Sequence, residues 1–479
     1  MKKYAYQFPG LISAIAFFII LFNPLMGHTQ AAINVEARLK SADQYFIDKA
    51  YRHALQLFLS LESTHSEDAI LNYKIGICYL YTVDKSKSLP YLEKAIQLGK
   101  GTIEFIDMDY YLGRYFHLSH QFQQAITHYT LYKKQLNAKD AAESLEMKTV
   151  ERCIVNCQNG ILLSNHTTNN VKIEHLPLTI NSGYSDLLPV ISKDGNSLFF
   201  ASRRHTSTGG IYDSYTYEYN EDIYVAKKEN NKWMPATHFG DSINETYNEA
   251  PLNISSDGKK IFFYKSDHGH GYDIYTSDFN DAKWSSPSTL DLNINTADLE
   301  TGFCLSPDGK KIYFSSDRPG GYGGVDIYYS EVRLDGTYGT AINLGPAINS
   351  RYDENFPFIS WDGQEMFFSS DGHNSMGGFD LFSSNFDHRR HEWTKPKNLG
   401  FPINTADDEL SISFPQDKSY ALYSARHEDS YGDEDIYMIK FEESFTVPVS
   451  IKPNPLLGKH ISPITGNSAI IHKGEVLGK

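Results

Sequence analysis

The sequence predicts a multidomain chain that is α first and all-β afterwards: an N-terminal α-solenoid, then a five-bladed β-propeller of four-stranded antiparallel blades. Three observations predict it. Between residues 35 and 163, small and large residues recur at helical spacing, with the small positions at 42, 76 and 113. Between residues 171 and 441, an Asp-Ile-Tyr signature recurs five times at intervals near fifty residues. The length, 479 residues, suits two or three domains at roughly 150 residues each. Periods of this size mark arrays in which one supersecondary unit cannot bury its own apolar face and stacks on the next.

The first element is an address. Lys2 and Lys3 precede an apolar run from Leu11 to Phe22, followed by Asn23-Pro24 and a small-residue stretch ending Thr29-Gln30-Ala31. A basic start, a short apolar core and small residues at the cut describe a secretory leader over residues 1–31. The run is shorter than the ~20 residues that span a bilayer, and no other stretch is long and apolar enough, so the mature chain is expected to lack a membrane span. The formal charge is −15, with 44 Lys and Arg against 59 Asp and Glu. Nucleic acid is therefore a poor partner, because phosphate recognition draws on clustered cations. The four cysteines, Cys78, Cys153, Cys157 and Cys304, show neither Cys-x-x-Cys nor zinc spacing and read as small buried hydrophobes.

Residues 32–165 hold the helical repeats. Ala42-Tyr45-Ala54-Phe58, Gly76-Tyr79-Ser88-Leu92 and Gly113-Phe116-Ala125-Tyr129 share one pattern, small–aromatic–small–large. The small residues let the two helices of a hairpin approach, and a helix from about Ala138 to Leu163 closes the stack. The pattern resembles the tetratricopeptide repeat, and that resemblance implies a concave surface for peptides or partner proteins.

Residues 166–441 hold the propeller. The signature stands at Asp222-Ile223-Tyr224, Asp273-Ile274-Tyr275, Asp326-Ile327-Tyr328, Asp380-Leu381-Phe382 and Asp435-Ile436-Tyr437. Upstream lie Asp194-Gly195, Asp257-Gly258, Asp308-Gly309 and Asp362-Gly363, each between apolar runs, while the fifth copy has Asp417-Lys418. Asp-Gly so flanked predicts a hairpin with a tight primed turn. Each unit reads strand, hairpin, strand, glycine-rich loop, strand, and a fourth strand ending in Ile-Asn. Ile180-Asn181 comes before every other blade element, and the last copy stops after its third strand near Phe441. The segment 171–182 is thus expected to supply the missing outer strand of the last blade, closing five blades and removing exposed edges. A sixth blade would need strands from residues 442–479.

Ser315-Ser316-Asp317-Arg318-Pro319-Gly320-Gly321 followed by Asp326-Ile327-Tyr328 resembles the WD40-like (TolB-type, PD40) propeller repeat of bacterial envelope proteins. The order leader, helical repeats, propeller is similar to OmpA-family envelope proteins associated with type IX secretion. The resemblance implies a partner among envelope or secretion-system proteins, and a periplasmic or outer-membrane setting in a Gram-negative bacterium. In that family a β-sandwich and a peptidoglycan-binding domain follow. Val449-Ser450-Ile451 and Pro463-Ile464-Thr465-Gly466 read as the opening of such a sandwich, and no peptidoglycan-binding domain is visible in the residues that remain.

Candidate site residues follow from the repeat. Six residues past the Ile of each Ile-Asn pair (Ile180, Ile243, Ile294, Ile348 and Ile403) stands a carboxylate: Asp186, Glu249, Glu300, Glu354 and Glu409. On innermost strands these five are expected to ring the channel mouth. There they would either recruit a cation or cationic ligand, or cap the backbone N–H groups of their own loops. The signature aspartates Asp222, Asp273, Asp326, Asp380 and Asp435 read as turn-closing residues. The first blade carries an insert, His205 to Glu221, whose Tyr212, Tyr215, Tyr217 and Tyr219 offer rigid contact surface or pack on their own blade. Gly320-Gly321-Tyr322-Gly323-Gly324 and Gly377-Gly378 join strands and open no helix, so they are not phosphate cradles. His268-Gly269-His270 reads as a loop.

No nucleophile elbow, His-Glu-x-x-His, Walker loop or calcium loop is present. A glycosidase needs two or three acids in unlike environments, whereas these carboxylates come as equivalent copies. The sequence therefore points to a non-catalytic exported scaffold, without cofactor or metal. The alternatives are a carbohydrate- or peptide-binding propeller and a five-bladed glycoside hydrolase.

Overall fold

A computed structural model describes residues 23–136, 141–165, 171–213, 217–267 and 271–441. The leader core, Tyr215, His268–His270 and residues 442–479 lie outside the described residues.

Seven helices come first among the described residues: α1 (Asn23–Ile47), α2 (Tyr51–His65), α3 (Ala69–Leu80), α4 (Ser88–Gly99), α5 (Met108–Leu118), α6 (Phe122–Gln135) and α7 (Ala141–Ser164). Consecutive helices pair as hairpins, α1 with α2, α3 with α4, α5 with α6, and α7 covers α6. The small-against-large rule is what brings each pair together. A methyl group added to Gly76 would stand 2.7 Å from Leu92 Cδ2, and one on Gly113 would stand 2.7 Å from Tyr129 Cδ1. Ala42 and Phe58 are both fully enclosed in the first hairpin's core. α7 repeats the device unannounced by the spacing, with Gly160 against the Phe122 ring. Asp68 starts α3 by accepting from Ile70 N (2.8 Å) and Leu71 N (3.0 Å), two of the donors a helix N-terminus leaves unpaired.

Five sheets follow, arranged as the blades of a propeller. The innermost strands are Asp186–Ile191, Glu249–Ile254, Glu300–Leu305, Glu354–Ile359 and Glu409–Ser413. Each pairs with a second strand and that with a third, which begins at the signature aspartate in all but the second blade, where it begins at Gly271. Ring closure is as the repeat phase predicts. Val171–His175 pairs antiparallel with the last strand, from Val171 opposite Phe441 to His175 opposite Tyr437.

Two local expectations are corrected. The outer strands are only two residues long in blades 1 to 4 (Thr237–His238, Ser288–Thr289, Ile342–Asn343, Lys397–Asn398), and Ile-Asn lies in the turn beyond them. The asparagine substitutes for the missing strand. Asn349 Oδ1 accepts from Ile327 N (2.9 Å) and its Nδ2 donates to Ile327 O (2.9 Å). Asn181, Asn244, Asn295 and Asn404 clamp Ile436, Ile223, Ile274 and Leu381 in the same way. A side-chain amide carries both donor and acceptor groups, so it can meet an N–H and a C=O as a backbone partner would. Second, the hairpin turns are not primed. Among the turn pairs only the glycine has positive φ (Gly195, Gly258, Gly309 and Gly363, 70–73°), and Lys418 takes that place in blade 5 at φ 50°. The preceding aspartate accepts from the N–H two residues on, as Asp308 does from Lys310 (3.1 Å), so a side-chain-closed turn replaces the tight two-residue one.

The free cysteines Cys78, Cys157 and Cys304 are buried and Cys153 is half-buried.

Candidate functional face

Loops entering the innermost strands and loops joining second to third strands share one face of the ring. The five repeat carboxylates open the innermost strands there, and all five are fully buried. Each is held by its own loop. Glu249 accepts from Glu245 N (3.0 Å), Glu354 from Ser350 N (2.6 Å) and Oγ (2.7 Å), and Glu409 from Thr405 N (2.9 Å) and Oγ1 (2.6 Å). Asp186 accepts from Ser182 N (2.5 Å) and Oγ (2.8 Å), and Glu300 from Thr296 N (3.0 Å) and Oγ1 (2.9 Å). They are set into the ring wall with no surface left to solvent, which corrects the picture of carboxylates presented at an open channel mouth. Burial raises the pKa of every one of them, against the hydrogen bonds that favour the charged form, and Glu249 reaches about 8.

The signature aspartates close loops. Asp326 accepts from Tyr322 N (2.5 Å), Gly323 N (3.0 Å) and Asn343 Nδ2 (2.8 Å). Asp380 accepts from Met376 N, Ser375 Oγ and Asn398 Nδ2, Asp222 from Thr208 N and His238, and Asp435 from Tyr431 N and His175. Asp273 is half-buried in blade 2. The loop glycines serve blade-to-blade contact. A Cβ on Gly323 would meet Tyr352 O at 1.9 Å, and one on Gly377 would meet the Ala406 backbone at 2.4 Å.

The loops of blades 4, 5 and 1 are covered by the chain's own helices, and this the sequence reading missed. His117 Nε2 donates to Met376 O (2.8 Å), Asn156 Nδ2 to Gly377 O (2.5 Å) and Asn159 Nδ2 to Ser375 O (2.9 Å). Lys85 pairs with Asp407 and donates to Arg426 O (3.1 Å). The Arg152 guanidinium lies 3.3 Å from the Tyr352 ring centre. Met376 and Ala406 share a core with Phe122, Tyr129 and Cys157 of the helices. Burial pushes His117 down to about 4, keeping it neutral. Burial works against the charge on Asp407, but Lys85, Arg426 and Arg114 hold it well below the ordinary carboxylate range. A usable signal was present: Asn156 and Asn159 sit three apart on a largely apolar stretch of α7, so they share one side of the helix as candidate polar contacts.

The tyrosine insert belongs to the same contact. Tyr217 OH donates to Asp48 Oδ2 (2.8 Å) and its ring meets Tyr45 edge-on at 4.8 Å. Tyr212 OH bonds His53 Nε2 at 2.6 Å, and Tyr219 packs on Tyr184 and Tyr212. So Tyr212 and Tyr217 grip the chain's own helical stack, while Tyr219 packs on its own blade and insert.

The channel between the innermost strands is narrow, lined among others by Leu188, Pro251, Phe303, Phe356, Ser411 and Ser413. Its lining contains no titratable side chain. Leu188, Phe356 and Ser411 have φ near 50° where the strands bulge, folding Leu188, Ala250, Phe356 and Leu410 into one plug from four blades. Among the described residues no group of three or more His, Cys, Asp or Glu is placed to hold a metal ion, and no helix is long and apolar enough to cross a membrane.

No protein-family model and no curated protein sequence matches the chain. Solved structures do match. TolB from Acinetobacter baumannii shares 17% identity over 55% of this chain and 56% of its own, with a TM-score of 0.34. An α-L-arabinofuranosidase from Lactobacillus brevis shares 15% over 55% and 92%, at 0.36. The periplasmic gluconolactonase PpgL of Pseudomonas aeruginosa shares 11% over 55% and 88%, at 0.30. The chain thus spans only 56% of the length of that TolB. Neighbours of this distance include enzymes and TolB alike and carry no argument about activity.

Proposed function

We propose that the chain is a non-catalytic scaffold of the bacterial envelope, exported by its leader, in which helical stack and propeller act as one recognition body. One observation carries the reading: the repeat carboxylates that open the innermost strands are enclosed and bonded to their own loops. A glycosidase would need two accessible acids in unlike surroundings. The buried hydrogen bonds and shared core between stack and ring further favour a fixed relative placement. The sequence resemblances to tetratricopeptide, TolB-type and OmpA-family proteins support an envelope setting on the periplasmic side, with secretion-system or other envelope proteins as partners.

The test is in-cell cross-linking of the tagged full chain, followed by recovery of its partners. Envelope proteins should be recovered reproducibly, and fewer when Lys85→Glu is placed at the stack–ring contact. Hydrolysis of an aryl glycoside by the purified chain, abolished by Glu300→Gln alone, would overturn the reading.

A further inference from the structure

Blades 3 and 4 carry the same glycine-rich loop, and the helices cover only the second of them. In blade 4, Ser375-Met376-Gly377-Gly378 precedes the third strand and gives three successive carbonyls to the stack. Ser375 O accepts from Asn159, Met376 O from His117 and Gly377 O from Asn156. The Met376 side chain is fully enclosed, in the core it shares with Phe122, Tyr129 and Cys157.

Gly321-Tyr322-Gly323-Gly324 occupies the same place before Asp326 in blade 3. Its backbone is held in the same way. Tyr322 N donates to Asp326 Oδ2 (2.5 Å) as Met376 N does to Asp380 Oδ2 (3.0 Å). Val325 N donates to Asp353 Oδ1 (2.9 Å) as Phe379 N does to Asp408 Oδ1 (2.8 Å). Yet the Gly321, Tyr322 and Gly323 carbonyls receive no hydrogen bond among the described residues. Tyr322, which stands where blade 4 has Met376, is 49% exposed. An aromatic ring held outward on a bonded backbone has little freedom left to lose on binding, which makes it a good contact anchor. The loop is also continuous with the stack–ring contact: a Cβ on Gly323 would run into the Tyr352 backbone, and the Tyr352 ring carries the Arg152 guanidinium of α7.

We propose that the blade 3 loop is a docking surface for a helix of another protein, one that presents side-chain amides three residues apart on an apolar side. Carbonyl oxygens only accept, so the partner must supply donors. Asn156 and Asn159 show the spacing at which one helix reaches two carbonyls of such a loop, and Tyr322 would enter the apolar side as Met376 does in blade 4. A second copy of this chain is a poor occupant, because its His117, Asn156 and Asn159 are bonded to its own blade 4. The inference deepens the scaffold reading by naming a surface and the chemistry of the partner that fits it.

The experiment titrates the whole chain against fluorescent, lactam-stapled helical peptides with a leucine-rich side and either Asn, Ala or Asp at both positions of an i, i+3 pair, read by anisotropy. The Asn helix should bind, and the Ala and Asp helices about tenfold or more weakly. Tyr322→Ala, at an exposed side chain, should leave the urea midpoint in place and weaken the Asn helix about tenfold, whereas Tyr322→Met, which copies blade 4, should retain it. No binding, or binding indifferent to Tyr322→Ala, overturns the proposal. Self-association of the chain that Tyr322→Ala abolishes would assign the loop to a second copy and overturn it equally. If envelope proteins are still cross-linked by Tyr322→Ala while no helix binds, the scaffold reading stands and this surface falls.

Discussion

Blades 3 and 5 begin with the same residue in the same place, yet bury it differently. Glu300 meets Arg318, whose guanidinium reaches Glu300 Oε1 (3.0 Å), Ser316 Oγ (3.0 Å) and Ile294 O (2.7 Å). The matching region of blade 5 holds Arg426 and His427, but Arg426 turns to Asp433 and Glu434, and the His427 ring stacks on Tyr437 at 4.4 Å. Glu409 therefore keeps only its Thr405 cap, with Asp380 beside it. In blade 5 the guanidinium serves Asp433 and Glu434, and only the Arg426 carbonyl, which accepts from Lys85, meets the helical stack. A repeat sets position, and the local neighbours set chemistry.

Breaking the cation in blade 3 should have the largest effect. Arg318→Met leaves Glu300 without its counter-charge and the Asn293 and Ile294 carbonyls without the guanidinium donor, and loss of one partner of a buried pair costs about 3 kcal/mol. The urea midpoint should fall accordingly. Glu300→Gln should cost about 2 kcal/mol, because Arg318 then loses its counter-charge. A midpoint unchanged in either variant would mean that the pair contributes nothing.

Glu409 sharpens the comparison through pH. Burial first, then Asp380, holds its pKa well above the ordinary value of 4.5. The native chain thus keeps a proton that the unfolded chain releases, so this group's contribution is complete below pH 4.5 and is lost as pH rises towards the folded pKa. Glu409→Gln removes that loss. Measured by urea unfolding, the variant should gain on the natural chain between pH 5 and pH 9, by about 1–2 kcal/mol. Histidines held neutral by burial, such as His117 and His373, titrate in both proteins and cancel in the difference. Glu300→Gln, though less stable overall, should show a smaller rise relative to the natural chain across that pH range, because Arg318 opposes burial there.

The ring, its five blades and its closure were legible because a four-stranded unit repeated five times averages out local irregularity, and because Ile180-Asn181 fixed the phase. The helical hairpins were legible for a similar reason: Gly76 and Gly113 can sit only where Leu92 and Tyr129 approach the backbone. What one-dimensional spacing could not carry was contact between the two modules. His117, Asn159 and Met376 are far apart in sequence and belong to no repeat, so nothing in the period of either module predicts that they meet. The carboxylates were placed at the right strand end, but their enclosure depends on the loop folding back so that Thr296 and Ser350 reach them.

The turn of blade 5 offers the smallest and cleanest contrast with blade 3. Gly309 has φ 70°, and a methyl group added there would meet nothing within 4 Å. Gly309→Ala therefore tests backbone strain alone and should cost about 1 kcal/mol. Lys418 occupies the same left-handed position at φ 50° but pairs with Asp362 (3.3 Å) and Glu365 of the neighbouring blade. Lys418→Gly relieves the strain and removes those pairs, each worth up to about 1 kcal/mol near the surface, so its midpoint should move by less than that of Gly309→Ala. A large loss in Lys418→Gly would mean that the blade 4–blade 5 pairs, and not the turn, hold that edge of the ring together.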